Sequence, residues 1–277
     1  MTTRTVDPAQ ELAVFLRGRR ERLHPRDVGL PLRRQTRRTP GLRREEVAEL
    51  AGISIDYLVR LEQARPLRPS ADVVEALAGA LRLAPDERTY LYDLTRQHPR
   101  TTAKPPTTAA PPLTRLVTDL SPLPAMVLNH RYDILAWNPE MARLLIDFDT
   151  LPPEQRNAMW LCLIHPETRE YYVDRERVVR EATAYLRSAR AAHPDDQVLN
   201  ELIAQCLTQN EQFSGLWAEG DVKINGRGHK VIRHPDAGDI AVRFEVLVPL
   251  QNPDQRLMIC RAADGDSQTA LEWLHAR

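Results

Sequence analysis

The chain has 277 residues, of which 42% are hydrophobic, and its 38 basic and 38 acidic side chains cancel. No run of about 18 apolar residues occurs, no basic-then-apolar leader opens the chain, and only three cysteines are present. A membrane span, an export signal and a disulfide scaffold are therefore not expected, and three scattered cysteines suit a reducing cytoplasm. The neutral total hides an asymmetry. Residues 1–98 carry 18 Arg against 14 acids, and residues 99–277 carry 20 basic against 24 acidic side chains.

A first helix is expected from Ala9 to Leu23, with Leu12, Phe15, Leu16 and Leu23 on its packing side. An arginine-rich stretch overlaps and follows it. Between Arg17 and Arg44 there are eleven Arg against Glu21 and Asp27, a concentration suited to a phosphate backbone. Arg37, Arg38, Arg43 and Arg44 are its candidate phosphate contacts. A second helix is expected from Arg43 to Ala51, burying Val47, Leu50 and Ala51. Gly52 ends it as a left-handed cap. Ser54 then caps a third helix that buries Ile53, Leu58 and Leu61. This pair, joined by a tight turn, has the layout of a helix-turn-helix. Its outward face carries Ser54, Ile55, Asp56, Val59, Arg60 and Gln63. Arg60 suits guanine, Asp56 suits cytosine N4, and Ile55 suits a thymine methyl. Arg44, at a helix start, suits a phosphate. Ser70 opens a fourth helix, Ala71 to Leu83. Pro85, Asp86 and Glu87 open a fifth through Leu94.

Residues 99–112 hold five prolines and no apolar period, and read as a semi-stiff linker. The expected division is 1–98, an all-α DNA-binding domain; 99–112, the linker; and 113–277, a ligand-binding domain. The last piece opens with a helix, Leu113 to Leu120. Strands follow at Ala125–Asn129 and Tyr132–Trp137, and then a helix from Glu140 capped by Asn138. Helices are expected at Pro153–Ile164, Arg175–Ala191 and Asp195–Leu207, with a short one around Phe213, Leu216 and Trp217. Strands at Gly228–His234, Ile240–Val248 and Arg256–Ala262 finish the sheet, and a helix at Leu271–Leu274 closes the chain. This is an α+β layout with an antiparallel sheet.

The stretches Thr39-Pro-Gly-Leu-Arg-Arg-Glu-Glu-Val-Ala, Tyr57-Leu-Val-Arg-Leu-Glu-Gln-Ala-Arg and Arg68-Pro-Ser-Ala-Asp-Val-Val-Glu-Ala-Leu-Ala resemble the lambda-repressor-like (XRE) helix-turn-helix of the MmyB-like transcription regulators. Leu216-Trp-Ala-Glu-Gly-Asp-Val, Arg233-His-Pro and Pro253-Asp-Gln-Arg-Leu extend the resemblance to the C-terminal, PAS-like ligand-binding domain of that family. It implies Ser54, Ile55, Asp56 and Arg60 as base-reading positions and Arg44 and Gln63 as phosphate contacts. It also implies a small-molecule pocket between sheet and helices, with fatty acyl compounds or secondary metabolites as candidate effectors. One departure is Ala64, where the family has Gly. Ala resists positive φ, so the third helix is expected to run on.

Trp137, Trp160, Tyr171, Tyr172, Trp217 and Phe244 are candidate pocket aromatics, although aromatics at such spacing more often form plain core. Arg243, alternating with Val242 and Phe244, faces either a ligand carboxylate or water. No His-Glu-x-x-His, Cys-x-x-Cys, phosphate loop or Gly-x-Ser-x-Gly elbow is present, so no metal, cofactor or catalytic residue is expected. The expected protein is a cytoplasmic, nucleoid-associated, homodimeric regulator that binds operator DNA and a small-molecule effector, and is not an enzyme. The alternatives are an enzyme fused to a DNA-binding module and a protein-interaction scaffold.

Overall fold

The computed structural model describes residues 8–30, 41–65, 67–95, 105–222 and 226–277. Arg37, Arg38 and the first part of the expected linker lie outside them. The chain divides into two compact units. One comprises residues 1–101, 190–200 and 219–223, and the other residues 102–189, 201–218 and 224–277.

The first unit is helical, with α1 (Pro8–Arg22), α2 (Arg44–Ala51), α3 (Ile55–Glu62), α4 (Ala71–Ala80) and α5 (Pro85–Leu94). Helix α1 packs on α3 and α5, and α2 on α3 and α4. Leu12, Leu16, Val47, Leu58, Leu61, Val74, Leu77 and Leu91 form its core. Phe15 meets Tyr90 edge-on at 5.1 Å. Two expectations need correction here. Leu50 does not join the buried face, being 38% exposed. Helix α4 stops at Ala80 because Arg82 turns left-handed, with φ of 47°.

Caps set the α2–α3 angle. The Arg43 N–H donates to the Glu46 carboxylate at 2.7 Å. Gly52 takes a left-handed φ of 63°, which closes α2 at the expected residue. Ser54 Oγ accepts the Tyr57 N–H at 3.1 Å and starts α3. Ala64 also adopts positive φ, 56°. Helix α3 therefore ends at Glu62 instead of running on, and the chain accepts the cost of an alanine in a glycine conformation.

The second unit is built on a five-stranded antiparallel sheet in the order β2-β1-β5-β4-β3. The strands are β1 (Ala125–Asn129), β2 (Ile134–Trp137), β3 (Arg227–His234), β4 (Gly238–Leu247) and β5 (Gln255–Ala262). Helix α6 (Pro111–Asp119) covers one face, burying Leu113 and Val117 on Ala125, Val127 and Leu257. The other face carries Met126, Leu128, Phe244, Met258 and Cys260, as the two-residue side-chain alternation requires. Helices α7 (Pro139–Leu144), α8 (Ala158–Leu163), α9 (Arg175–Ala192), α10 (Gln197–Gln209) and α11 (Glu211–Glu219) lie between β2 and β3 in sequence, and α12 (Gly265–His275) follows β5.

Asn138 is the joint between layers. Its Oδ1 accepts from the Ala125 and Met141 N–H groups, and its Nδ2 donates to the Val117 and Leu123 carbonyls. One buried amide thus fastens α6, β1 and α7 with every hydrogen-bonding position filled. The helix expected over Pro153–Ile164 is instead a short 3-10 turn, Pro153–Gln155, followed by α8. Asn157 makes the break by accepting the Met159 and Trp160 N–H groups as a new cap. Helix α12 starts earlier than expected because Asp264 caps it at Ser267 N–H, 2.8 Å.

Candidate functional site

Helix α3 presents Ser54, Ile55, Asp56 and Gln63 to solvent, with Val59 and Arg60 half-buried beside them. Ile55, an apolar side chain, is 47% exposed at the first turn. Arg60 Nε is screened from solvent and has no hydrogen-bond partner among the described residues. Ser54 has already committed its hydroxyl as an acceptor in the cap, which leaves its O–H as a donor.

Beneath this face lies a charged cluster that the sequence reading did not single out. Glu62, at the end of α3, is 1% exposed. Its Oε1 accepts from Arg20 Nε at 2.6 Å, and its Oε2 accepts from Arg44 Nε at 2.7 Å and Arg20 Nη2 at 3.1 Å. Arg20 also donates to the Leu42 carbonyl, and Arg17 to the Glu62 carbonyl. Burial works against the Arg20 charge, but its bonds and proximity to Glu62 outweigh that and raise its pKa. The signal was legible: Glu62 follows Leu58 by four residues, so it falls on the buried stripe. Arg44 is thus held at the start of α2 by Glu62, with 42% of its side chain still exposed. Arg43 is half-buried at the same end. Some of the basic excess is therefore internal: Arg20 is buried, and Arg19 meets Glu87 at 2.8 Å.

The second unit contains an apolar cavity between the free face of the sheet and helices α7, α8 and α9. Water centres could occupy about 70 Å³ of it, against roughly 10–15 Å³ for one water. Met126, Leu128, Tyr132 and Ile134 wall one side. Met141, Met159 and Tyr185 wall another, and Lys230, Phe244, Met258 and Cys260 close it. Tyr132 enters from the β1–β2 turn with φ of 70°, a conformation a bulky residue holds only when its surroundings impose it. Asn129 and Asn157 impose it: both amides donate to the Asp133 carboxylate at 2.8 Å, and Asn157 also donates to the Arg131 carbonyl.

Of the seven pocket candidates from the sequence, Phe244 and Tyr172 line this cavity. The other five have different surroundings. Trp137 packs edge-on against Phe148, and Trp160 against His165. Trp217 stacks on Phe213 and receives the Arg187 guanidinium at 4.4 Å. Tyr171 is half-buried, and Arg243 is exposed, on the opposite strand face from Phe244. Burial raises the Cys162 thiol and pushes Cys206 and Cys260 up to about 12, so all three are held as neutral thiols. Tyr172 is likewise driven well above the ordinary phenol range by burial.

A helix-turn-helix whose second helix shows one face to solvent, followed by a unit with an apolar cavity, defines a DNA-binding regulator with a ligand-binding domain. Comparison with protein families agrees. Residues 11–91 match a helix-turn-helix domain. Residues 109–274 match the MmyB-like transcription regulator ligand binding domain. The second match covers more than half of the chain, and the chain belongs to the MmyB-like transcription regulators. No curated protein matches the sequence. Among the described residues no helix is long and apolar enough to cross a membrane.

Proposed function

We propose that this is a cytoplasmic one-component regulator in which α3 reads operator DNA and the apolar cavity binds an effector that changes DNA affinity. Arg60, Asp56, Ile55 and Ser54 contact base edges. Arg43, Arg44 and Gln63, with Arg37 and Arg38, contact phosphates. The observation that carries this reading is the solvent-facing polar side of α3, held at its C-terminal end by the Arg20–Glu62–Arg44 cluster. The ligand domain acts by binding, not turnover. The sheet order β2-β1-β5-β4-β3, with helices inserted between β2 and β3, supports a PAS-like reading of it.

The chain acts as a homodimer, because one small helix-turn-helix buries too little surface for specific affinity and two-fold regulators read paired half-sites. Selection from a random duplex pool by the full chain tests this. Enrichment of a two-fold-symmetric motif with half-sites about one helical turn apart is expected. A pool without any enriched motif would overturn the assignment.

A further inference from the structure

All four internal methionines of the chain, Met126, Met141, Met159 and Met258, line the cavity. They come from β1, α7, α8 and β5, and Met126 faces Met258 directly across the β1–β5 pair. Thioether side chains are polarisable and unbranched, fit irregular shapes and make favourable contacts with aromatic rings. Aliphatic and aromatic groups supply most of the remaining wall.

Lys230 and Glu181 are the charged residues of the wall. The Lys230 Nζ lies 5.0 Å from the centre of the Tyr172 ring and 5.5 Å from that of Phe244. Among the described residues no carboxylate pairs with it. The acid at the cavity, Glu181, meets Arg177 at 3.4 Å. Lys230 is half-buried at the cavity with ring faces on either side, and an anionic ligand group entering the cavity would give its ammonium a charge-assisted partner. The cavity offers several times the minimum space that holds one water, which suits one compact ring better than an extended long chain.

We propose that the cavity takes a compact aromatic carboxylic acid, its ring among the methionine sulfurs and its carboxylate on Lys230 Nζ. This rests on the reading of the cavity as the effector site. The test uses the full chain labelled with [methyl-¹³C]methionine and three probes: 4-ethylbenzoate, its neutral isostere 4-ethylbenzamide, and decanoate. The benzoate is expected to shift the four internal methyl signals, to leave that of Met1 in place, and to bind at least tenfold more tightly than the amide. Lys230→Met should weaken the benzoate at least tenfold and leave amide binding unchanged, which also shows that the variant is folded. Lys230→Arg should restore the preference for the acid.

Equal binding of acid and amide, or acid binding that leaves the internal methyl signals still, overturns the proposal. So does decanoate binding more tightly than the benzoate. If no probe moves any internal methyl signal, the effector-site reading falls with it. Selection of a DNA motif by the same protein is read separately and stands or falls on its own.

Discussion

Glu62 shows how one acid can organise a helix-turn-helix. It is buried at the end of α3 and answers two arginines, one on α1 and one on α2. Removing its charge while keeping its shape strands Arg20 in the interior, a change that costs about 3–5 kcal/mol. Glu62→Gln should lower the urea-denaturation free energy by that order. Two residues away, Ala64 sits at φ of 56°. Ala64→Gly relieves the left-handed penalty and gives back part of it in chain entropy, so a gain of up to about 1 kcal/mol is expected in the same measurement. The buried thiols Cys162, Cys206 and Cys260 should resist alkylation at neutral pH until the chain unfolds, as mass spectrometry would record.

At this scale the sequence was legible where chemistry is local. Gly52, Ser54 and Asn138 occupy the caps expected of them, because a cap needs only its neighbours. The cavity wall was not legible in the same way. Bulk suggested Trp137, Trp160 and Trp217, whereas burial against a particular partner decided where each tryptophan went. The alternation Met126, Leu128 and Met258, Cys260 was the available signal, since each pair shares a strand face.

Among elements, the proposed DNA reading falls on α3. Arg60→Ala is expected to cost about 1–3 kcal/mol on the selected DNA and to relax preference at one base pair. Arg44→Ala should weaken all duplexes alike and reduce the salt slope. Because Arg44 also bonds Glu62, it should lower fold stability somewhat as well. Mobility shifts on selected and scrambled duplexes, with denaturation curves for both variants, separate these effects.

Helix α12 docks on α7 through a polar contact, His275 Nδ1 to Glu140 Oε1 at 2.9 Å, with Ser121 Oγ on the same oxygen at 2.8 Å. Burial raises the Glu140 pKa, but the Ser121, backbone and His275 bonds outweigh it and hold the carboxyl below its usual range. A depressed folded pKa contributes stability that is full above the ordinary carboxylate value and is lost as pH falls through the folded one. Glu140→Gln should therefore flatten the acid limb of the stability–pH profile. Helices with long apolar periods, such as α9, were readable from sequence to within a residue or two. Helix α8 was not, because Asn157 spends its amide on capping, and a periodic apolar run does not record that break.

On the scale of the whole molecule, one MmyB-like chain carries both a helix-turn-helix domain and a ligand-binding domain. An effector shifts DNA occupancy only by the difference in its affinity for the DNA-competent and incompetent states. A tenfold change in DNA affinity on saturation with effector therefore requires a tenfold change in effector affinity on saturation with DNA. Calorimetry run in both directions checks that reciprocity.

The central claim is that the exposed side of α3 enters a duplex. Fluorescence anisotropy of the full chain, titrated into its selected duplex and a scrambled one between about 50 and 200 mM salt, tests it most directly. The selected duplex should bind at least about 10³-fold more tightly, and both affinities should fall steeply with salt, as expected where several phosphates are contacted. Equal affinity for the two duplexes, or no binding to either at the lowest salt, would contradict it.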